Sequence, residues 1–236
     1  MKGHLERFSL EGRPCAALVP EGQGPFPVLC LCGWNLADRL PILGEALTSV
    51  ALLFVTAEGD RDFTPWPAPG IRKGEHFLGE GESYLGIIIE KVLPYGVERF
   101  SFSDRWEERA ILGYSLGGLF ALWAQSQGQL FQTAASLSGS LWYPSWMDYL
   151  RSHPPRKEES VYLSLGDREE LGGPPLLRTV GDCTRQAHEF YQSLELDTIL
   201  EWNKGGHGKG VEGRWKKALA WTSARVTRAR ERSITE

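Results

Sequence analysis

A serine lies between closely spaced glycines in residues 113–118, which read GYSLGG. The pattern Gly-x-Ser-x-Gly is typical of a sharp turn that presents a serine hydroxyl at the end of a strand, where it can attack an acyl carbon. Small residues two positions before and after Ser115 would let a strand and a helix approach without a steric clash. The pattern is short and arises by chance in many chains, so the flanking residues must decide what it means.

The residues on either side of Ser115 favour the chemical interpretation. Residues 109–112 (RAIL) predict a buried strand, and residues 119–124 (LFALWA) predict a buried helix. In that arrangement the serine has a strained backbone conformation and lies at a helix N-terminus, whose backbone N–H groups can stabilise an oxyanion. We therefore predict that Ser115 is a nucleophile. The alternative is a glycine-rich turn that only allows close packing.

A serine hydroxyl needs a general base within hydrogen-bonding distance to act as a nucleophile at neutral pH. Where a serine occupies such a turn, the acid and then the histidine follow it along the chain. Of the histidines after Ser115, His153 lies in a Pro-rich polar stretch and His188 lies within a predicted helix. The glycine-rich loop of His207, in contrast, directly follows the last predicted strand. We predict that His207 is the general base.

Three carboxylates follow the predicted strand at residues 160–165 and could orient the imidazole: Asp167, Glu169 and Glu170. An acidic loop of this kind is usually solvated, but a histidine base requires a partner that holds its tautomer. Asp167 is the first carboxylate after the strand. Glu169 has the longer side chain and turns back toward the histidine loop if the chain bends as soon as the strand ends. We prefer Glu169, with Asp167 as the alternative.

An acyl-transfer site also needs two backbone N–H donors for the oxyanion. One belongs to the residue after the nucleophile, Leu116. We expect the other at Trp34, in the turn after a predicted strand at residues 28–32 (VLCLC). A plain turn at the end of that strand is an equally good interpretation of the segment.

Several aromatic residues fall in predicted loops at the carboxyl ends of strands, where α/β folds bind ligands. The three that we expect to bind substrate are Trp66, Trp142 and Tyr143. They predict an aromatic-walled cleft suited to a phenolic or apolar acyl group. The alternative is that they pack the long connection at residues 57–81 onto the body of the protein.

The elements that position these residues alternate along the chain. Predicted strands cover residues 5–10, 14–19, 28–32, 50–56, 109–114, 132–138, 160–165 and 197–202, and predicted helices cover residues 38–49, 82–93, 116–127, 178–194 and 211–231. We expect the second helix to stop at Pro94. Alternating buried strands and helices predict a mostly parallel sheet with helices on both faces. We expect one α/β domain over residues 1–236, with no large lid.

The composition argues against several classes of function. The chain has 236 residues, of which 42% are hydrophobic and 24% charged, which suits a globular domain. A formal net charge of -4 gives no electrostatic reason to expect nucleic acid or an anionic membrane as partner. We see no secretory signal, no apolar run long enough for a bilayer and no zinc-binding cysteine spacing. We expect a cytoplasmic protein without metal or cofactor.

Four segments resemble the esterase branch of the α/β-hydrolase superfamily, which includes esterase D and the enterochelin esterases. They are residues 113–118, 136–144 (SLSGSLWYP), 163–170 (LSLGDREE) and 202–207 (WNKGGH). The resemblance implies an α/β-hydrolase fold and hydrolysis of a carboxylic ester through an acyl-enzyme, without a cofactor. Siderophore esterases are similar in placing an acid three residues after the glycine of the third segment, which supports Glu169.

Together these features predict a serine esterase that acts on a small, soluble ester, aromatic or siderophore-like. An acyltransferase or a thioesterase would use the same three residues and differ in the acceptor or donor of the acyl group. A hydrolase fold retained as a binding protein is the remaining alternative, and the intact set of Ser115, His207 and nearby acids counts against it.

Overall fold

The computed structural model describes residues 3–235, with side chains described for residues 3–232. Within these residues the strands are β1 (Gly3–Leu10), β2 (Arg13–Pro20), β3 (Val28–Cys32), β4 (Ala51–Val55), β5 (Ala68–Pro69), β6 (His76–Phe77), β7 (Arg109–Tyr114), β8 (Thr133–Leu137), β9 (Ser160–Gly166) and β10 (Asp197–Asn203). The helices are α1 (Leu40–Leu43), α2 (Gly59–Asp62), α3 (Gly81–Ile87), α4 (Leu93–Phe100), α5 (Leu116–Ser126), α6 (Trp146–Ser152), α7 (Pro175–Arg178), α8 (Val180–Ser193) and α9 (Val211–Thr235). Residues 1, 2 and 236 of the predicted domain lie outside the described residues.

Eight strands form one sheet in the order β1-β2-β4-β3-β7-β8-β9-β10. β2 pairs antiparallel with both β1 and β4, and the remaining pairs are parallel, which confirms the predicted mostly parallel sheet. The chain moves outward from β3 to β4 and then returns to the other side of β3 to form β7. The carboxyl ends of β3 and β7 therefore lie where the strand order reverses, which is where folds of this class bind ligands.

Apolar side chains on the two faces of the sheet pack into two separate cores. In β3, Cys30 and Cys32 belong to the core that includes α5 and α8, and Leu29 and Leu31 belong to the core that includes α1 and α9. Helices therefore cover both faces of the sheet, as the alternating pattern predicted. No helix in the described residues has both the length and the apolar composition that crossing a bilayer requires.

The predicted helix over residues 38–49 is wrong. A short 3-10 turn leads into α1, which ends after four residues. The C-cap is Gly44, a poor helix former, whose N–H makes the last helical hydrogen bond to the carbonyl of Leu40. A Cβ atom at Gly44 would also lie 2.7 Å from the side chain of Leu18, so the chain needs glycine where it packs onto β2.

The expected stop at Pro94 is also wrong, because the helix continues to Phe100. A π-helical segment, Ile88–Val92, joins α3 to α4, and the N–H of Leu93 bonds to the carbonyl of Ile88, five residues back. In an α-helix a proline ring clashes with the carbonyl four residues earlier. The wider π turn relieves that clash, and Pro94 then lies in the first turn of α4, where proline is tolerated.

The long connection at residues 57–81 contains short elements that the sequence did not predict, namely α2 and the two-stranded ribbon β5–β6. It is fixed to the body of the protein by a buried ion pair, in which Arg13 Nη1 lies 2.6 Å from a carboxylate oxygen of Asp62. It does not form a large lid. Two further short helices, α6 and α7, were also not predicted.

Candidate active site

Ser115 lies at the turn between β7 and α5, at the carboxyl edge of the sheet. Its backbone angles, φ 60° and ψ -122°, are strained for a residue with a side chain. The turn is possible because its neighbours lack a Cβ atom. A Cβ at Gly113 would lie 1.8 Å from the carbonyl oxygen of Gly117, and a Cβ at Gly117 would lie 2.2 Å from that of Cys32. The glycines thus allow the close approach that presents the Ser115 hydroxyl.

His207 lies in the glycine-rich loop between β10 and α9. Its Nε2 atom lies 3.1 Å from the Ser115 hydroxyl, and its Nδ1 atom lies 2.8 Å from Oε2 of Glu169. An ionised carboxylate only accepts hydrogen bonds, so the proton of the neutral imidazole is on Nδ1. Nε2 is then free to accept the hydroxyl proton of Ser115. The structure brings together the three side chains predicted for catalysis in one hydrogen-bonded chain.

The side chain of Glu169 is 3% exposed and is surrounded by donors. Its Oε1 atom accepts hydrogen bonds from the Ser138 hydroxyl at 2.8 Å, the Gly166 N–H at 2.7 Å and Arg214 Nη1 at 2.6 Å. Burial alone would raise the pKa of this carboxyl, but the hydrogen bonds from His207 and from these three donors outweigh it and lower the pKa to about 2. Glu169 is therefore a carboxylate at neutral pH.

The three acids after β9 have different partners. Asp167 is exposed and accepts a hydrogen bond from the N–H of Gly205 at 2.8 Å, at the base of the histidine loop. Glu170 pairs with Arg185, with Nη2 and Oε2 2.7 Å apart. Glu169 is the acid that contacts the imidazole, so the geometry favours it over Asp167 as the partner of His207.

The buried carboxylate of Glu169 makes stability depend on pH. Its pKa is about 2 in the folded protein and about 4.3 in an unfolded chain. The stabilisation is therefore complete above about pH 4.3 and is lost as the pH falls toward 2. We expect the free energy of unfolding to fall more steeply over this range for the wild type than for Glu169→Gln. Urea unfolding at several pH values measures both slopes, and equal slopes would contradict a depressed pKa.

The two predicted oxyanion donors lie at the ends of neighbouring strands. Cys32 of β3 pairs with Gly113 of β7 in the sheet. Trp34 lies two residues after Cys32, and Ser115 lies two residues after Gly113. Leu116 is the first residue of α5, where a backbone N–H has no carbonyl of the helix to bond to. The side chain of Trp34 is exposed and lies against Gly59 of α2.

A cavity of about 390 Å³ opens beside Ser115 and His207. Trp142 lines it, together with Ile71, Leu177 and Val180, which the sequence did not single out. Among the described residues, Trp66 and Tyr143 are not part of this lining. Trp66 Nε1 donates to the carbonyl of Pro144 at 3.0 Å, and the Tyr143 hydroxyl donates to the carbonyl of Trp66. Those two aromatic residues pack the long connection onto the body, which was the alternative interpretation.

Sequence reasoning missed two polar residues of the site, Ser138 and Arg214. Ser138 directly follows β8 with a left-handed backbone (φ 47°). Arg214 is 1% exposed, although arginine is almost never fully buried unless it is paired. A signal for Arg214 exists in the helical spacing, because it lies four residues before the buried Ala218 and so shares the core face of α9. Ser138 lies in segment 136–144, which resembles the esterases, but that resemblance assigned it no role.

The sheet order, the strained serine after β7 and the histidine after the last strand define an α/β-hydrolase fold. An esterase family model within that class, described as "Putative esterase", matches residues 40–226. The chain belongs to this family, and the protein is an esterase. The predicted fold class, family and ester-hydrolase function are confirmed.

The chain is also similar to a curated protein and to solved structures. The uncharacterized protein YbbA of Bacillus subtilis (strain 168) is 28% identical in an alignment of 242 positions. The alignment covers 94% of this chain and 96% of YbbA. An IroE-like serine hydrolase from Shewanella oneidensis has a TM-score of 0.74 at 16% identity, covering 94% of this chain and 79% of its own. The siderophore hydrolase EstA from Aspergillus nidulans has a TM-score of 0.70 at 16% identity, covering 94% of each chain. At these identities the two solved structures show a common fold.

Proposed function

We propose that the protein hydrolyses a small carboxylic ester through an acyl-enzyme, with Ser115 as nucleophile, His207 as general base and Glu169 as the acid that orients the imidazole. The observation that carries the proposal is the continuous chain of contacts from the Ser115 hydroxyl through both nitrogens of His207 to a buried carboxylate. Glu169 is ionised at neutral pH, and each of the three groups has the hydrogen-bond partner that its role requires.

In the first half of the reaction, Ser115 Oγ attacks the ester carbonyl carbon while His207 Nε2 takes the hydroxyl proton. Glu169 stabilises the resulting imidazolium without taking its proton. The N–H groups of Leu116 and Trp34 are proposed to bind the oxyanion. Collapse of the tetrahedral intermediate breaks the bond to the alcohol oxygen, which leaves with the proton from His207, and Ser115 stays acylated.

In the second half, water takes the place of the alcohol. His207 Nε2 accepts a proton from water, the hydroxide attacks the acyl carbon, and Ser115 leaves with the proton. The side chain of His207 is 53% exposed, so water reaches the imidazole directly. This exposure favours hydrolysis over acyl transfer, because a transferase must exclude water from its acyl-enzyme.

The cavity favours a small substrate with an apolar or aromatic arm. Trp142 and Leu177 offer apolar contact beside the nucleophile, and Arg168 also lines the opening. A volume of about 390 Å³ suits a small molecule. EstA, which shares this fold, is a siderophore hydrolase. We propose a water-soluble ester, aromatic or siderophore-like, that the enzyme meets in the cytoplasm.

The test combines active-site labelling with turnover. We expect the wild-type protein to react with one equivalent of a fluorophosphonate probe, and mass spectrometry should locate the adduct on Ser115. We also expect turnover of p-nitrophenyl acetate. An adduct on another residue, or no turnover, would contradict the proposal. A panel of acetyl, feruloyl, S-formylglutathione and catechol trilactone substrates then tests the substrate class, and a lower kcat/KM for the aromatic esters than for the acetyl ester would exclude an aromatic preference.

A further inference from the structure

Arg214 is a buried cation beside the proposed catalytic carboxylate. It lies near the start of α9, and its side chain is 1% exposed. Burying a guanidinium is costly unless its charge and its N–H groups are paired. Arg214 has hydrogen-bond partners on several elements, and these partners indicate its role in the site.

The two terminal nitrogens of Arg214 contact both the acid and the histidine loop. Nη1 lies 2.6 Å from Oε1 of Glu169 and also donates to the hydroxyl of Ser138. Nη2 donates to the backbone carbonyl of Gly206 at 2.9 Å. A single planar group therefore links the carboxylate that holds the imidazole to the backbone that carries the imidazole.

Tyr114 holds the next carbonyl of the same loop. Its hydroxyl donates to the backbone carbonyl of His207, and Arg214 Nη1 lies 3.3 Å from that hydroxyl. The rings of Tyr114 and His207 also meet edge to face, with centroids 5.4 Å apart. A loop with glycines on both sides of its histidine has little conformational preference of its own. The contacts with Arg214 and Tyr114 therefore help to hold it, in addition to the hydrogen bonds at Gly205.

We propose that Arg214 is a positioning residue of the esterase, assisted by Tyr114: it holds the Glu169 carboxylate in place and fixes the His207 loop so that Nε2 faces Ser115. The inference rests on the proposed function. Without the guanidinium, the buried Glu169 carboxylate would lose the charged donor at Oε1, and its pKa would rise from its lowered value although His207, Ser138 and Gly166 remain as donors. The loop would also lose its contact at Gly206. Both changes act on the imidazole and leave the acyl cavity as it is.

The experiment compares Arg214→Met with Arg225→Met. Arg225 is a matched control because it also lies on α9 and pairs with one acid, Asp197, through Nη2 and Oδ1 at 2.8 Å, but it contacts no residue of the site. We expect Arg214→Met to lower kcat by about a hundredfold, with KM within about threefold of the wild type. Arg225→Met should keep kcat within about twofold. Arg214→Lys should recover part of the lost kcat. Its single ammonium group can pair with Glu169, but it lacks the second nitrogen with which the planar guanidinium also bonds to the carbonyl of Gly206.

A spectroscopic measurement separates positioning from general loosening of the fold. The proton between His207 Nδ1 and Glu169 should give a far-downfield proton NMR signal in the wild type and in Arg225→Met. We expect that signal to be lost or shifted in Arg214→Met under conditions where circular dichroism shows a folded protein. A folded Arg214→Met with unchanged kcat and an unchanged signal would overturn the inference.

If Arg214→Met does not fold, Tyr114→Phe tests the inference instead, because this substitution removes only a hydroxyl group. We expect about a tenfold fall in kcat with KM unchanged, and an unchanged kcat would overturn the inference. Labelling of the wild type at Ser115 is measured in the same series. Its absence would contradict the proposed function itself, whereas wild-type labelling combined with an unaffected Arg214→Met would contradict only the role of Arg214.

Discussion

Replacement of Ser115 by alanine is expected to abolish ester hydrolysis and fluorophosphonate labelling while the protein stays folded. The hydroxyl is the atom that forms the acyl-enzyme, and the strained turn that presents it depends on Gly113 and Gly117, which the substitution leaves intact. Loss of the nucleophile in a unit of this kind costs on the order of 10⁶ in kcat. Turnover of p-nitrophenyl acetate measures the loss, and far-UV circular dichroism measures the fold.

Substitution of His207 by alanine provides the matching test. We expect it to cost about as much as loss of Ser115, because residues that act as one unit are not additive. A double variant much slower than either single variant would argue against a shared mechanism. Persistent labelling of Ser115→Ala would direct attention to the neighbouring serines, although the Ser138 hydroxyl is already engaged with Glu169 and Arg214.

The second large effect is expected at the acid. Glu169→Gln should lower kcat by at least about a hundredfold. The three donors at Oε1 would hold the amide oxygen there, so the amide NH2 group would face Nδ1 and favour the wrong tautomer, and a neutral amide would not stabilise the imidazolium. Loss of the tautomer can cost on the order of 10⁴. Asp167→Asn should change kcat by less than about tenfold. Its amide oxygen can still accept the hydrogen bond from the N–H of Gly205 that the carboxylate accepts now.

The two acid variants control for each other, since both remove one negative charge from the same loop. Steady-state kinetics on a soluble ester give both ratios. The reverse ranking would assign the orienting role to Asp167. Two mild variants would mean that Ser115 and His207 act as a dyad without a carboxylate.

The parts of the site that local chemistry dictates could be predicted from the sequence. Glycine spacing around Ser115 reports a close approach of strand and helix, and the position of His207 after the last strand follows from the order of the elements. The choice of Glu169 over Asp167 depends on the turn after β9, which the residues left open and the structure shows. The helical spacing could place Arg214 on the core face of α9, but its contacts could not be predicted, because its partners lie on β7, after β8 and in two loops, and no local pattern connects them.

The errors in the fold have a similar origin. The apolar spacing of residues 38–49 fits a helix, but α1 ends at Gly44, where the backbone lies close to the side chain of Leu18 on β2. Pro94 normally stops a helix, but the π segment before it moves the ring away from the clash. In each case a contact or backbone detail outside the local pattern overrides the local preference. The buried strands were predicted well because both of their faces are covered, which leaves a continuous apolar run.

Helix α9 connects the assembly of the active site to the packing of the core. It follows every strand of the sheet along the chain, and its Trp215, Ala218, Leu219 and Val226 provide much of the core on one face. The same helix carries Arg214 to the acid and to the histidine loop. Ser115, His207 and Glu169 all precede α9 along the chain, and yet the hydrogen bonds that join the acid to the histidine loop are complete only when this helix is docked. Full hydrolytic competence is thus tied to the packing of the core: a chain in which α9 is not docked has the three proposed catalytic residues but lacks the guanidinium that joins the acid to the histidine loop.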